Sequence, residues 1–204
     1  VVGEPDYWGQ ARLYFWIGTD WIEVDGDGER IEVDPWGRPW VVSPDNSLWV
    51  LEHTGWRLLH GAVTDVGIGA DGSVWVVGVD ERRGGHSLYT LDRYGWVKVH
   101  GSGVRIDVDP QGYPWVINDD EQIFRWNGTS WLRMPRYARD IGIGADGTVW
   151  AVGTNERAGG YGLYRWDGAG WQLEHGSASQ VSVDANGNPW VVNRDGEIWL
   201  GNFR

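Results

Sequence analysis

The stretch PWGRPWVV, at residues 35–42, is found in related form at two further places in the chain. It returns as PQGYPWVI at residues 110–117 and as ANGNPWVV at residues 185–192, so each copy begins 75 residues after the one before. Tryptophans keep the same spacing without an insertion or deletion, as in Trp21, Trp96 and Trp171. A tandem repeat of this length predicts that one structural unit recurs three times around a common core.

Each 75-residue unit contains two related halves, because DIGIGADGTVWAVG at residues 140–153 resembles VSVDANGNPWVVN at residues 181–193. Each half divides into four short segments with apolar alternation, joined by Asp-Gly, Asn-Gly or other glycine-rich turns. Four-stranded units of roughly 35–40 residues, with a tryptophan in the second strand, are typical of an all-β β-propeller. We therefore predict a single domain over residues 1–204, with repeat units 1–75, 76–150 and 151–204, the last of them incomplete.

The number of blades follows from counting strands. Three full units would need 225 residues, 21 more than the 204 of the chain. The count predicts six four-stranded antiparallel blades with pseudo-threefold symmetry, in which the two blades at the seam each lack one strand. The alternative is a five-bladed ring, in which WIEVDG at residues 21–26 completes the last blade as its outer strand. Because the sequence begins with Val1 rather than Met, we expect it to be processed, trimmed or part of a longer chain.

Composition excludes several classes of function. With 17 Lys and Arg against 29 Asp and Glu, and no cluster of basic residues, the chain lacks the positive charge that binds nucleic acid. No apolar run approaches the ~18 residues of a membrane span, and the absence of Cys removes thiolate chemistry and cysteine-ligated zinc. We find no GxSxG motif and no His with a plausible Ser and acid partner, so the sequence predicts no catalytic residue, no cofactor and no metal site.

Candidate binding residues lie where the copies differ, in the long loop between the second and third strands of alternate blades. These loops are GEPDYWGQAR at residues 3–12, GVDERRGGHS at 78–87 and GTNERAGGYG at 153–162. Aromatic faces and planar charged groups suit polyhydroxylated ligands, whereas the alternative is a solvated loop held by ion pairs. The candidate ligand-binding residues are Trp8, Glu81, Arg82, His86, Glu156, Arg157 and Tyr161.

The half-repeat resembles the tectonin-type β-propeller repeat. The resemblance rests on Trp131 at the start of an outer strand, on DIGIGADGTVWAVG at residues 140–153 and on LYRW at residues 163–166. It implies a six-bladed propeller, commonly a lectin that binds bacterial lipopolysaccharide or modified sugars such as methylated hexoses, often multivalently. Other relatives serve as non-catalytic adaptor modules within larger proteins.

These observations predict a lectin that is extracellular or at the cell surface and binds glycans or lipopolysaccharide through up to three similar sites. Recurrence of a weak site raises the apparent affinity for a repetitive glycan surface. The alternative is a structural or protein-interaction module of a larger extracellular or filamentous assembly. In that case the open seam would receive another protein chain, because an unpaired strand edge can accept a partner strand.

Overall fold

The computed structural model describes residues 1–5, 7 and 11–201, and these residues contain twenty β-strands and no helix. The strands are β1 (Val2–Pro5), β2 (Ala11–Trp16), β3 (Trp21–Asp27), β4 (Arg30–Val33), β5 (Pro39–Val42), β6 (Ser47–Glu52), β7 (Gly55–Ile68), β8 (Val74–Arg82), β9 (Gly85–Asp92), β10 (Gly95–Gly103), β11 (Arg105–Val108), β12 (Pro114–Ile117), β13 (Gln122–Trp126), β14 (Trp131–Ile143), β15 (Val149–Arg157), β16 (Gly160–Trp166), β17 (Trp171–Ala178), β18 (Gln180–Val183), β19 (Pro189–Val192) and β20 (Ile198–Leu200).

Antiparallel pairing divides these strands into six sheets. The long strands β7 and β14 each serve two sheets, because their first part pairs with the preceding strand and their second part with the following one. Four sheets have four strands, namely β4 to β7, β7 to β10, β11 to β14 and β14 to β17, and the shared strands β7 and β14 join them in pairs into two continuous runs of seven strands. The first sheet, β1 to β3, and the last, β18 to β20, have three described strands each. The prediction of an all-β chain of antiparallel sheets is confirmed.

The turn after the first strand of alternate sheets explains the repeated Asp-x-x-Gly sequence. The side chain of Asp34 accepts backbone hydrogen bonds from Trp36 at 3.0 Å and from Arg38 at 2.9 Å, which closes the turn. Gly37 takes a φ of 79°, a conformation that costs glycine least. Asp109 and Asp184 repeat this capping in the next two copies, so these carboxylates are structural.

Tryptophans pack the sheets against one another. Trp115 on β12 meets Trp171 on β17 of the following sheet, with ring centroids 6.3 Å apart and ring planes at 82°. Trp190 on β19 meets Trp21 on β3 in nearly the same way, at 6.3 Å and 79°. Trp190 and Trp21 are the counterparts of Trp115 and Trp171 in the 75-residue register. The last sheet therefore packs against the first as one neighbouring sheet packs against the next.

A central channel with a volume of about 900 Å³ runs along the innermost strands. We call five segments the channel strands: β4, the second part of β7, β11, the second part of β14, and β18. Four of them carry alternating charges at the same position of the strand, in the order Arg30, Asp65, Arg105 and Asp140, and the fifth has the neutral Gln180 there.

Carboxylates in the channel join each sheet to the next one. Asp65 accepts the backbone N–H of Ile106 at 3.0 Å, and Asp140 accepts that of Val181 at 2.8 Å. These N–H groups point away from their own sheet, so that without the carboxylate they would lack an acceptor inside the protein. A buried N–H without a partner costs about 1–3 kcal/mol, which makes these bonds important for the inner wall.

Burial keeps several of these carboxyl groups protonated at a higher pH than usual. It raises the pKa of Glu32 from its ordinary value of 4.5 to about 7 and that of Asp65 from 3.8 to about 6. Burial, together with the charge of Glu32, raises the pKa of Asp107 well above its ordinary value. The pKa of Asp140 is also raised by burial, although Arg30 opposes the shift.

The raised pKa values predict that the free energy of unfolding falls as the pH rises from 5 to 8. At a pH between the ordinary pKa of these groups and their raised pKa, the folded state binds more protons than the unfolded state. Raising the pH through this range therefore favours the unfolded state. We expect a lower melting temperature at pH 8 than at pH 5, measured by circular dichroism. Glu32→Gln should reduce the difference, and Glu81→Gln, at an exposed position, should leave it unchanged. A melting temperature that is constant or rises across this range would contradict the prediction.

The packing of Trp21 against Trp190 can be tested by comparison with its counterpart. Trp21→Ala and Trp171→Ala should lower the free energy of unfolding by similar amounts, about 2–4 kcal/mol each, because each removes a half-buried indole from a contact between sheets. Trp36→Ala is the control, since that side chain is 70% exposed, and it should cost far less. Chemical denaturation measures all three variants. A negligible effect of Trp21→Ala beside a large effect of Trp171→Ala would show that the first and last sheets do not pack together.

Candidate functional site

The predicted binding residues lie on two hairpins that belong to different sheets. In the β8–β9 hairpin, Glu81 lies opposite His86, and Arg82 is exposed beside it. The Nδ1 atom of His86 lies 3.2 Å from the carbonyl oxygen of Val79, which fixes the imidazole against its own hairpin. Trp8 lies outside the described residues. The structure does not gather the predicted residues into one site.

The second hairpin, β15–β16, carries Glu156, Arg157 and Tyr161, with Glu156 opposite Tyr161. The guanidinium groups of Arg139 and Arg194 lie 4.3 Å and 5.6 Å from the centroid of the Tyr161 ring. Arg194 also lies 3.8 Å from Glu156, in an exposed ion pair. The aromatic face expected to stack on a ligand is therefore in contact with cations of the protein itself.

The tips of both hairpins reach across to the next sheet and are held there. Ser102 donates a hydrogen bond from its hydroxyl to the carbonyl oxygen of Arg83 at 2.8 Å. The backbone N–H of Asp119 donates to the carbonyl oxygen of Gly84 at 3.3 Å. A Cβ atom added to Gly84 would lie 4.0 Å from the Cβ atom of Asn118, so the tip lies over the groove between these two sheets.

The β15–β16 hairpin is held by the same pair of bonds. The hydroxyl of Ser177 donates to the carbonyl oxygen of Ala158. The backbone N–H of Arg194 donates to the carbonyl oxygen of Gly159 at 2.8 Å. We call these two hydrogen bonds the tethers of a hairpin. The donor of one tether is a hydroxyl group on the last strand of the same sheet, and the donor of the other is a backbone N–H in a turn of the following sheet.

Neither donor is present at the corresponding groove between the first and second sheets. Asp27 occupies the position of Ser102 and Ser177, and an ionised carboxylate only accepts hydrogen bonds. Pro44 occupies the position of Asp119 and Arg194, and proline has no backbone N–H. One of the three copies thus lacks both tether donors in its sequence.

A cavity of about 410 Å³ lies at this place, and we call it the open groove. Asn118, which contacts the tip of the β8–β9 hairpin, has Ser43 of the open groove as its counterpart. The described residues that line the open groove are Leu13, Gly26, Asp27, Val41, Ser43, Pro44, Asp45, Trp49 and Trp56.

Aromatic rings and carboxylates face each other in the open groove. Leu13 and Val41 are buried, whereas Trp49 and Trp56 are half-buried and present part of their indoles. The indole N–H of Trp56 donates to the carbonyl oxygen of Asp25 at 2.8 Å, which fixes the orientation of that ring. Partly exposed aromatic surface beside hydrogen-bond acceptors is typical of small-molecule sites.

Asp45 is held as an anion at the rim of the open groove. Its Oδ1 atom accepts hydrogen bonds from the backbone N–H of Ser47 at 3.0 Å and from the hydroxyl of Ser43 at 2.9 Å. The bond from Ser47, followed by that from Ser43, lowers the pKa of Asp45 below its ordinary value. The groove therefore offers negatively charged acceptors to a ligand that carries hydroxyl or amino donors.

Two other kinds of site were sought among the described residues. They contain no group of three or more His, Asp or Glu side chains placed to hold a metal ion. Nor do they include a helix that is long and apolar enough to cross a membrane.

Sequence reasoning placed the candidate residues on the hairpins and missed the groove beneath them. The available signal was the difference between copies at Asp27 and Pro44, where the other two copies have hydrogen-bond donors. This difference has a meaning only once the tethers have been seen in the structure. Every residue has a backbone carbonyl, so the sequence does not reveal which residue accepts such a hydrogen bond.

Comparison with known proteins supports the fold. The family model of the Tectonin domain matches residues 104–203. No curated protein matches the chain. A solved structure described as YCF48 bound to D1 peptide is similar at a TM-score of 0.52 and 16% sequence identity, over 81% of this chain. The chain spans 62% of the length of that structure, and the similarity supports the β-propeller fold alone. The family match confirms the predicted resemblance to the tectonin-type repeat over residues 104–203.

Proposed function

We propose that this protein is a non-catalytic, carbohydrate-binding β-propeller of six blades, and that the open groove is its sugar site. The observation that carries this proposal is the loss of both tether donors at Asp27 and Pro44, beside a cavity lined by Trp49 and Trp56. A cavity that lacks the tether donors of the other two copies and contains aromatic and charged side chains differs from its counterparts in a way that suits ligand binding.

The sheets and their packing support the proposal of six blades. Strand pairing gives four groups of four strands, in which β7 and β14 are shared, and two groups of three described strands. The contact between Trp190 and Trp21 repeats the contact between Trp115 and Trp171, which supports a ring in which the last sheet is followed by the first. A five-bladed ring would instead require β3 to join the last sheet, whereas β3 pairs with β2.

The chemistry of the open groove favours a neutral or amino sugar. Its volume of about 410 Å³ lies within the roughly 300–1,000 Å³ of small-molecule pockets. Sugar hydroxyl groups can donate to the carboxylates of Asp27 and Asp45, while the apolar face of a pyranose packs on Trp49 or Trp56. A net formal charge of −12 and two carboxylates in the groove disfavour phosphate groups, so we place the recognition of any lipopolysaccharide on its neutral sugars.

The proposal concerns one site for each chain. In the other two copies, tethered hairpins lie over the corresponding grooves. The expectation of up to three similar sites, which came from the repeat in the sequence, stays a prediction. Glycans displayed outside cells are the ligands that we propose, and the proposed location of the protein is extracellular or at the cell surface.

A second candidate function is a protein-interaction module. Strand β20 pairs with β19 on one side only among the described strands, and its residues Ile198, Trp199 and Leu200 are 36%, 59% and 44% exposed. A partner strand could pair with this edge and cover the indole of Trp199.

The sugar site is tested by removing its acceptor and its aromatic platform. Asp45→Asn and Trp49→Ala should each weaken glycan binding by about 10–100-fold, because a hydrogen bond to a charged group contributes about 1.5–3 kcal/mol and a stacking indole a similar amount. A glycan array identifies the sugar, and titration followed by tryptophan fluorescence gives the affinity.

Matched controls come from the tethered copy. Asp120 and Phe124 are the counterparts of Asp45 and Trp49, and Asp120→Asn and Phe124→Ala should leave the affinity unchanged. No signal for any sugar with folded protein would refute the lectin and leave the interaction module. Equal losses in the test and control variants would refute the assignment to the open groove.

A further inference from the structure

Five sheets end, on the side away from the channel, in a strand that carries a tryptophan near its start. We call these the outer strands: β3, the first part of β7, β10, the first part of β14, and β17. Aligned on the tryptophan, they read WIEVDGD at residues 21–27, WRLLHGA at 56–62, WVKVHGS at 96–102, WLRMPRY at 131–137 and WQLEHGS at 171–177. Three of them share histidine and glycine at the fifth and sixth positions, and β3 and β14 depart from this pattern.

Those three outer strands neutralise their acidic and basic side chains within their own sheets. Each such side chain forms an ion pair with the neighbouring strand or turn, at distances of 2.8, 3.0 and 3.1 Å. The pairs are Arg57 with Glu52, Lys98 with Asp80, and Arg165 with Glu174.

The outer strand β3 has an excess of negative charge. Glu23, Asp25 and Asp27 occupy its third, fifth and seventh positions. Glu23 is paired with Arg12 of β2. The side chain of Asp25 is exposed and forms no ion pair within 4.0 Å with the described residues. One arginine therefore faces three carboxylates, and the strand presents a net negative charge at the rim.

The outer strand at the start of β14 has the opposite charge. Arg133 and Arg136 occupy its third and sixth positions, and residues 131–139 include no Asp or Glu. Both arginines are exposed, and neither forms an ion pair within 4.0 Å with a described residue. The next arginine, Arg139, is already paired with Glu121 at 3.1 Å. Arg133 and Arg136 are thus the cations of this strand that remain available to a carboxylate from outside.

Tyrosine side chains hold the two guanidinium groups in place. Arg133 donates a hydrogen bond to the hydroxyl of Tyr137 at 3.1 Å, and Arg136 lies 3.9 Å from the centroid of the Tyr164 ring on the next sheet. A guanidinium stacked on a ring keeps the N–H groups at its edge free, and these N–H groups match the two oxygens of a carboxylate. The arginines are therefore oriented without a carboxylate of their own.

Arg136 is unfavourable for the sheet that carries it. Its φ of 78° lies in the left-handed region, where a side chain crowds the backbone. The other four outer strands have glycine at this position, namely Gly26, Gly61, Gly101 and Gly176.

A hydrogen bond between sheets is also lost beside Arg136. In three grooves the tryptophan of one outer strand donates its indole N–H to the carbonyl oxygen just before the glycine of the preceding outer strand. Trp171, which follows Arg136 in this arrangement, has no hydrogen-bond partner for its indole N–H among the described residues. Strained backbone that local contacts do not repay points to a role outside the sheet.

The two strands of opposite charge lie far apart on the molecule. β3 belongs to the first sheet and the first part of β14 to the fourth, with two sheets between them along the chain. In the proposed ring of six blades, sheets three places apart lie on opposite sides. The acidic strand of one copy can therefore meet the basic strand of a second copy, whereas the two strands of one copy cannot meet each other.

We propose that β3 of one copy docks against the start of β14 of a second copy, with Glu23 and Asp25 facing Arg133 and Arg136. Ile22 and Leu132, which directly follow the tryptophans and are 50% and 47% exposed, are covered beside these charges. Because the two surfaces differ, the contact is heterologous, and in a ring of six blades it continues from copy to copy as an open chain. The contact does not depend on sugar binding in the open groove.

Sedimentation velocity on the 204-residue chain tests for this assembly. In buffer of low ionic strength the sedimentation coefficient should rise with protein concentration and pass the value of a dimer. In 1 M sodium chloride, where charges are screened over about 3 Å, it should return to that of the monomer. A protein that stays monomeric at every concentration in low salt would overturn the proposal.

Two charge-reversal variants locate the contact. Arg133→Glu with Arg136→Glu, and Glu23→Lys with Asp25→Lys, should each weaken self-association at least about tenfold, because like charges then face each other. An equal mixture of the two variants should associate again, since opposite charges then meet at both strands. Recovery in the mixture also shows that both variants are folded, and circular dichroism checks each alone. Association that survives either reversal, or that fails to return on mixing folded variants, would refute the contact.

A matched control separates this contact from the effect of net charge. Arg57→Glu with Lys98→Glu changes the net charge by the same amount as the reversal of Arg133 and Arg136, but on two other outer strands. This control should leave the association constant within about threefold, because the charges that it alters are paired within their own sheets. A loss as large as that of the β14 variant would show that overall charge, rather than these two strands, controls the association.

Discussion

The inner wall of the propeller depends on one constraint: each channel strand has an edge with no neighbouring strand. The backbone N–H groups on that edge are removed from bulk water, and a buried donor needs an acceptor. The chain supplies one as a carboxylate from the preceding sheet, as Asp65 does for Ile106 and Asp140 does for Val181. Asp107 does the same for Ile143 at 2.6 Å. The sheets are thereby joined in sequence by hydrogen bonds from backbone N–H groups to buried carboxyl groups.

This solution buries acidic groups in a confined channel, and their pKa values rise, first because burial removes water from the carboxylates and second because the groups lie close together. The arginines at alternate positions, Arg30 and Arg105, offset part of the cost for Asp65 and Asp140. Glu32 and Asp107 are instead coupled to each other with the same sign of charge, so that protonation of either relieves the other. The structural role of the carboxylates thus explains why this part of the fold should respond to pH.

The sequence predicts most of the scaffold because the scaffold follows local rules. Alternating apolar residues, Asp-Gly turns and the tryptophan in PWVV identify strands, turns and packing positions, and the structure confirms them in antiparallel sheets. The open groove could not be predicted in the same way. The groove is recognised by comparison with tethers in the other copies, such as the hydrogen bond from Ser102 to the carbonyl oxygen of Arg83, 19 residues away in sequence. Any residue type can supply such a carbonyl, so the tethers leave no pattern in the residues that accept them.

The open groove arises where the threefold repeat loses one half of a hydrogen bond. Two donors are missing there, since Asp27 has a carboxylate in place of a hydroxyl and Pro44 has no backbone N–H, and acceptors and indoles line the cavity. The repeat itself thus indicates the kind of ligand that suits the groove, which is a molecule rich in hydrogen-bond donors.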